Sequence, residues 1–385
     1  MINHYRFIFL FVLIVLQFTL LKCTTEDQVE VTQENYVLQA VEEVRIGQLE
    51  GENEYVFGSI GRISIGGNGE MFVADPQVPV IRMYDREGNF IRNIGGEGRG
   101  PGEYSRISGM RTFPDGRLAV WDVNNQRVNV YSRDGDYVEN YTVNSTLHSA
   151  DNFEVGHDGN FYVKTALDFF RDISKFKLAW LRISPEGEIT DTLKVPFDEV
   201  NREQSFVLFT ASGRAHAFIN RPINKLSTKG NLITGKNDQY VFQINQPDSF
   251  SLYIERDFAS VQVKPEEKEQ WEDWINYFGV NNNVPEIKPP VKDITTDSQG
   301  RIWVKRYVEA IYTEKNIGPH FGPESRWWEP PVFDVFLPDG TFYATVSLPI
   351  NANFRDAKDN FVWAVIKGEY DEQYVARFRL EEVMD

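Results

Sequence analysis

Among side chains that could do chemistry, the histidines come first, because three or four His or Cys ligands at workable spacing would build a zinc site. The chain carries His4, His148, His157, His216, His320 and a single cysteine, Cys23. His4 falls in an apolar leader and His157 in a tight G-H-D-G turn, which leaves at most His148, His216 and His320, brought together only by long-range placement. No G-x-S-x-G nucleophile elbow and no D-x-D-x-D-G calcium loop occurs. The acid pairs Glu42/Glu43, Glu266/Glu267 and Asp371/Glu372 look like solvated faces, since carboxylates that work as acid and base need a cleft to shift their pKa. These residues name no catalytic group, no metal ligand set and no cofactor.

Two stretches are chemically unusual. LDFFRDISKFK, Leu167 to Lys177, supplies Phe170, Arg171 and Lys175, and the flank Lys305 to Pro331 supplies Arg306, Tyr307, Arg326, Trp327 and Trp328. Exposed Trp, Tyr and Arg anchor interfaces and stack on planar ligands or sugars. These eight residues are therefore the candidate ligand-binding set. The competing reading is that the tryptophans pack onto the rim of the fold.

The elements that would position them are written as a repeat. Ile63 to Gly95 reads ISIGGNGEMFVADPQVPVIRMYDREGNFIRNIG, and Ile107 to Tyr141 reads ISGMRTFPDGRLAVWDVNNQRVNVYSRDGDYVENY. Each copy has an apolar strand, a turn closed by Gly69 or Gly116, a second strand ending at Asp75 or Asp122, an Arg at 82 or 127, and a Tyr at 84 or 131. A four-strand unit recurring every ~45 residues is the mark of a propeller blade. Blade three follows in Asn152 to Pro196, and blade five runs from VKDITT through TFYATVSL. Blade four is less regular and is expected to begin with AHAFIN and a long turn to Gly230. Blade six, from FRDA to YVARFRL, stops one strand short, and Tyr36 to Ile46 is expected to supply that strand and close the ring. The expected fold is all-β: six four-stranded antiparallel blades closed by the N-terminal strand, which would leave no exposed sheet edge.

One segment breaks the pattern. PEEKEQWEDWINYF, Pro265 to Phe278, begins with Pro at the first helical position and acids in the first turn, both favourable there. Trp271, Trp274, Ile275 and Phe278 then fall at i, i+3, i+4, i+7, which predicts one amphipathic helix between blades four and five.

The pair VADPQVPVIRMY and VWDVNNQRVNVY, with the linker GGEGRGPGEY at 95–104, resembles NHL-repeat propellers, in particular the six-bladed β-propeller lipoproteins of Bacteroidetes-type bacteria. The resemblance implies a fold and an envelope address and carries over no catalytic residue. The linker's glycines are not a phosphate cradle: Pro101 stands where a third glycine would be and a strand follows, whereas a dinucleotide site opens a helix.

At the N-terminus, residues 1–23 read as a signal peptide, with an apolar run from Phe7 to Leu16 resuming through Leu21, too short to be preferred as a spanning helix. Cys23 directly after it is placed as the lipid acceptor of bacterial lipoprotein signals, with Leu20 three residues before; Lys22 takes the place of the usual small residue. An outer-membrane lipid anchor, facing the periplasm or the cell surface, is expected, and plain secretion is the alternative. Polar residues 24–35 form a tether, and 36–385 is the propeller. A formal net charge of -17 with no Lys/Arg cluster excludes nucleic acid as a partner, because phosphate binding depends on cations displacing counterions, and it fits a monomer.

Blade topology sorts the loops by face. Turns between strands one and two and between three and four share one face and are short apart from the blade-four turn. The blade-to-blade links and the loops between strands two and three share the other and hold the long inserts, 95–105, 166–177, 196–213, the helix, and 308–330. Long inserts in a compact domain are usually functional, so that face is the candidate surface for a protein, peptide or glycan. The sequence favours a binding scaffold. A metal-dependent hydrolase or lyase at the mouth of the central channel is the alternative.

Overall fold

The computed structural model describes residues 36–143, 147, 152–167, 177–195, 217–245, 251–279, 283–316 and 322–383. From Tyr36 onward these residues form one unit. Its strands make six four-stranded antiparallel blades. Each blade runs from an inner strand beside the central channel to an outer strand, and the inner strands are Arg62–Ile65, Ile107–Thr112, Asn152–Val155, Pro222–Leu226, Val291–Thr296 and Ala352–Lys358.

The ring closes through the N-terminal strand, Val37–Ile46. It pairs antiparallel with Gln373–Glu382, with Ala40 opposite Leu380 and Val41 opposite Arg379, and becomes the outer strand of blade six. It also pairs parallel with the outer strand of blade five, Phe342–Ser347. Strands one and two of each blade alternate apolar residues toward both faces because a neighbouring blade covers each face. Burial therefore runs almost unbroken through Met71–Asp75 and Leu118–Asp122, the pattern of sheets covered on both sides.

The apolar core is accordingly six wedges, one between each pair of adjacent blades. Trp121, Trp180, Trp303 and Trp363 are buried in four of them, and full burial of a large apolar side chain is worth roughly 1.5–3 kcal/mol. Inner strands approach closely where they converge: a Cβ on Gly109 would lie 2.2 Å from Phe153 Cβ, so blades two and three meet there only because the residue is glycine.

Asp75 and Asp122 tie each blade to the link before it. Asp75 accepts the Gly58 and Ser59 N–H groups at 2.9 and 3.2 Å, and Asp122 accepts those of Ser105 and Arg106 at 3.0 and 3.1 Å. In the Gly-rich link, Gly95 sits at φ +63° with Gly102 O 2.6 Å from where a Cβ would be. Arg127 donates to the carbonyls of Arg99, Gly100 and Glu103. The segment is a packed inter-blade turn.

Blade four corrects the expectation from sequence. Its inner strand is Pro222–Leu226, not AHAFIN, and the turn after it is tight: Gly230 N–H donates to Ser227 O at 2.9 Å and Ser227 N–H to Asn231 O at 2.9 Å. Pro222 takes the first position of the strand, where its missing N–H is tolerated. Ala217 and Phe218, whose alternation suggested a strand, instead pack with Val263, Ile275 and Val284 outside the blades.

Helix α1 spans Pro265–Phe278 as predicted and ends at Gly279 in the left-handed conformation, φ 63°. Among the described residues no helix is long and apolar enough to cross a membrane.

Candidate functional site

The link after blade four and the insert of blade five form one annex on the face that carries the links. In the link, Val261–Gln262 pairs with Ile287–Lys288 on either side of α1. In the insert, Ile311–Tyr312 pairs with Trp327–Trp328, placing Ile311 opposite Trp328. Helix α1 holds this hairpin by side chains. Gln270 Oε1 accepts the N–H groups of Arg326 and Trp327 at 2.6 and 2.8 Å, its Nε2 donates to Trp327 O at 3.0 Å, and Trp274 Nε1 donates to Ser325 Oγ at 2.7 Å.

Beneath the helix lies a buried charge cluster. Lys288, 2% exposed, donates to Glu267 Oε1 at 2.7 Å, Glu329 Oε1 at 2.8 Å and Val308 O at 2.9 Å, and its ammonium lies 5.1 Å from the Phe218 ring centre. Lys292 donates to the other Glu329 oxygen at 2.6 Å. Glu267 is thus 2% exposed and ion-paired, which corrects the expectation of a solvated Glu266/Glu267 face. Burial raises its pKa against the pull of Lys288. Helical spacing put Glu267 on the same side as Gln270 and Trp274, but its partner comes from 21 residues later.

Of the described candidate ligand-binding residues, Trp328 alone lines the large cleft described below; its Nε1 donates to Ser325 O at 2.8 Å. Trp327 packs edge-on against Tyr312, ring centres 5.7 Å apart, beneath the Lys264 ammonium at 5.2 Å. Arg326 pairs with Glu324 at 3.2 Å. Arg306 turns into blade five toward Asp334, 3.5 Å away, and Tyr307 packs against Phe218, ring centres 5.2 Å apart. Tyr307 thus packs into the annex core, while Arg306 belongs to blade five. Phe170, Arg171 and Lys175 lie outside the described residues, as do Cys23, His148, His216 and His320. Among the described residues no group of three or more His, Cys, Asp or Glu side chains is placed to hold a metal ion.

The hairpin forms one wall of a cleft of about 1020 Å³, at the upper end of the range for small-molecule sites. Its other walls are the link into blade one at Ser59 and Ile60, the link into blade six at 350–353, and the blade-six loop at 367–373. These segments are inter-blade links, a loop between strands two and three, and the strand ends that adjoin them, so topology puts them all on one face. Lys315 pairs with Glu369 at 3.0 Å and Lys367 with Asp371 at 3.4 Å along the rim.

At the inner end of the cleft stands Arg355. It is the extra residue of a β-bulge: Phe354 pairs with Ala364 and Asp356 with Trp363, leaving Arg355 unpaired between them. A bulge bends the strand and re-aims the extra side chain. Arg355 Nη2 reaches Ile60 O at 3.5 Å, at the limit of a hydrogen bond, and Nε is buried without a partner. Burial, with Arg62 nearby, lowers its pKa to about 10.

Two other inner-strand cations share one carboxylate. Glu154 on blade three accepts Arg111 Nε and Nη2 at 2.7 and 3.0 Å from blade two and Lys225 Nζ at 2.8 Å from blade four. Burial alone would raise the Glu154 pKa, but the two cations hold it near 2. Asp356 beside the bulge accepts the Ser298 and Ala357 N–H groups at 3.0 and 2.8 Å. Burial, reinforced by Asp297 and opposed by Arg111, raises its pKa to about 7.

A family model described as "6-bladed beta-propeller" matches residues 22–192. The chain is a six-bladed β-propeller. A member of the DUF4221 family from Bacteroides vulgatus has a similar structure at 10% identity, covering 91% of this chain and 100% of that one with a TM-score of 0.50. A protein from Bacteroides fragilis, described as a candidate exported protein, aligns at 10% identity over 91% of this chain and 99% of that one with a TM-score of 0.48. A virginiamycin B lyase from Staphylococcus aureus aligns at 12% identity over 90% and 95% with a TM-score of 0.40. A sequence comparison with curated proteins returned no match. At these identities the likeness is one of fold, and the propeller's function is argued below from its own geometry.

Arg355 and Asn353 were not legible as site residues. FRDA read as an ordinary inner strand, and the only trace of the bulge is two adjacent charges, Arg355 and Asp356, where alternation allows one.

Proposed function

We propose that this propeller is an extracytoplasmic binding protein of the cell envelope that seats a ligand in the cleft between blades five, six and one. The observation that carries the reading is the cleft itself, about 1020 Å³ on the face that gathers the links and inserts. Its hairpin wall is braced by Gln270 and Trp274 of α1, and side chains that contact a ligand need such rigid support to hold their positions. The envelope address rests on the leader and on Cys23 as lipid acceptor, with the NHL-like lipoprotein resemblance beside it. A binding role fits the described residues better than metal-dependent hydrolysis, since Glu154 is spent on Arg111 and Lys225 and Asp297 on Arg301, and Asp356 is held by backbone N–H groups.

The test compares two obstructions of the purified full chain on glycan and peptide arrays. Asn353→Trp fills the cleft, and Asp115→Trp bulks a turn on the opposite face. The expected result is at least a tenfold loss of binding to retained ligands for the first and none for the second. Equal binding by the wild type and Asn353→Trp would overturn the assignment.

A further inference from the structure

We infer that the cleft recognises a carboxylate-bearing saccharide, a uronic-acid oligosaccharide, through Arg355. The inference rests on the binding-cleft reading and specifies its ligand. Among the described residues, the inner-strand cations Arg111 and Lys225 meet Glu154 and Lys292 meets Glu329, whereas no carboxylate lies within ion-pair distance of Arg355, whose nearby charge is another arginine, Arg62. Holding a half-buried guanidinium without an anion is unfavourable to the folded state. Charged groups held in such unfavourable surroundings cluster at functional sites, and here the missing partner would be a ligand.

The chemistry around Arg355 narrows the ligand. The guanidinium fork matches a planar carboxylate through two parallel hydrogen bonds. Ser59 and Asn353 bring a hydroxyl and an amide to the walls, and Asn351 and Gln373 do so beside the bonds they already make to Lys367 O and the Ile60 N–H, groups suited to sugar hydroxyls. Trp328 supplies a flat, partly exposed aromatic face, the surface on which a sugar ring packs. The rim cations are already paired, Lys315 with Glu369 and Lys367 with Asp371, and Glu314 also lines the cleft. A phosphate dianion would bring two charges to one point among these acids, while the carboxylates of a uronic-acid chain stand one per ring, so that one meets Arg355 without crowding them.

The experiment is titration calorimetry of the purified full chain with trigalacturonate, with neutral galactotriose, and with inorganic phosphate as a competitor. Trigalacturonate is expected to bind one-to-one and galactotriose at least tenfold more weakly. Arg355→Met should weaken trigalacturonate at least tenfold, and Arg355→Lys, which keeps charge but not the fork, should retain part of the affinity. Thermal unfolding checks that Arg355→Met folds, and its Tm should be no lower than wild type, because an unpartnered cation has been removed. The inference is overturned if trigalacturonate does not bind, if Arg355→Met binds it as wild type does, if galactotriose binds as tightly, or if phosphate at equal concentration displaces it. Galactotriose binding that Asn353→Trp abolishes and Arg355→Met leaves unchanged would remove the carboxylate inference and keep the binding cleft.

Discussion

Asp356 offers a test of the channel's electrostatics that needs no ligand. It is 6% exposed, and burial raises its pKa from 3.8 to about 7. The unfolded chain therefore releases this proton near pH 4, while the folded chain keeps it until about pH 7. Between those values the native state binds more protons, so its stability from this group falls as pH rises, is fully present below pH 4, and is lost once pH passes 7. About three pKa units at 1.36 kcal/mol each set an upper limit of roughly 4 kcal/mol. Asn at this position keeps an oxygen to accept the Ser298 and Ala357 N–H groups and carries no charge at any pH. Arg111 loses a nearby anion but keeps its two bonds to Glu154. Asp356→Asn should then gain stability relative to wild type by roughly 2–4 kcal/mol on going from pH 4.5 to pH 8. Urea midpoints measured across that range for both proteins give the difference directly, with shared titrations cancelling. A difference that stays constant with pH, or that shrinks toward pH 8, would refute the assignment of a buried, proton-holding Asp356.

Two further outcomes follow from the fold and annex, beside the binding tests above. Lys288→Met leaves Glu267 buried without its cation, while Glu329 keeps Lys292, which should cost roughly 3–5 kcal/mol; a double variant that adds Glu267→Gln should recover most of it, and thermal melts of the two separate lost charge pairing from lost packing. Deleting Val37–Ile46 strips the outer strand from Gln373–Glu382 and bares a ten-residue sheet edge, the kind that templates pairing between chains; light scattering should show association, and an unchanged monomeric mass would contradict the closure.

Much of the architecture is local in origin and was legible for that reason. The period of blades one and two, the Gly and Asp turns, and the Pro-led helix each depend on residues a few positions apart. The missing strand of blade six could be counted, and the resemblance of Tyr36–Ile46 to a strand without a local partner supplied it. Blade four misled because Ala217 and Phe218 have an apolar alternation that serves the annex rather than a sheet. The tryptophans at 327 and 328 were visible as unusual, yet their adjacent positions could not say that one ring would stack under Lys264 and the other face a cleft.

What sequence alone determined, then, is the repeat, the helix and the side of the disc that carries the long loops. These follow from periods of two and 3.6 residues and from turn chemistry, which act over a few residues. Only the tertiary structure decided the site, because its members come from blades five, six and one, and their meeting depends on a ring closed over more than 300 residues, as in Ile60 against Gln373, 313 positions apart. The bulge that turns Arg355 out of its ladder and the annex that folds Glu267 onto Lys288 were also decided by the fold: which charges end up paired is set by distance in space, about which composition and spacing are silent.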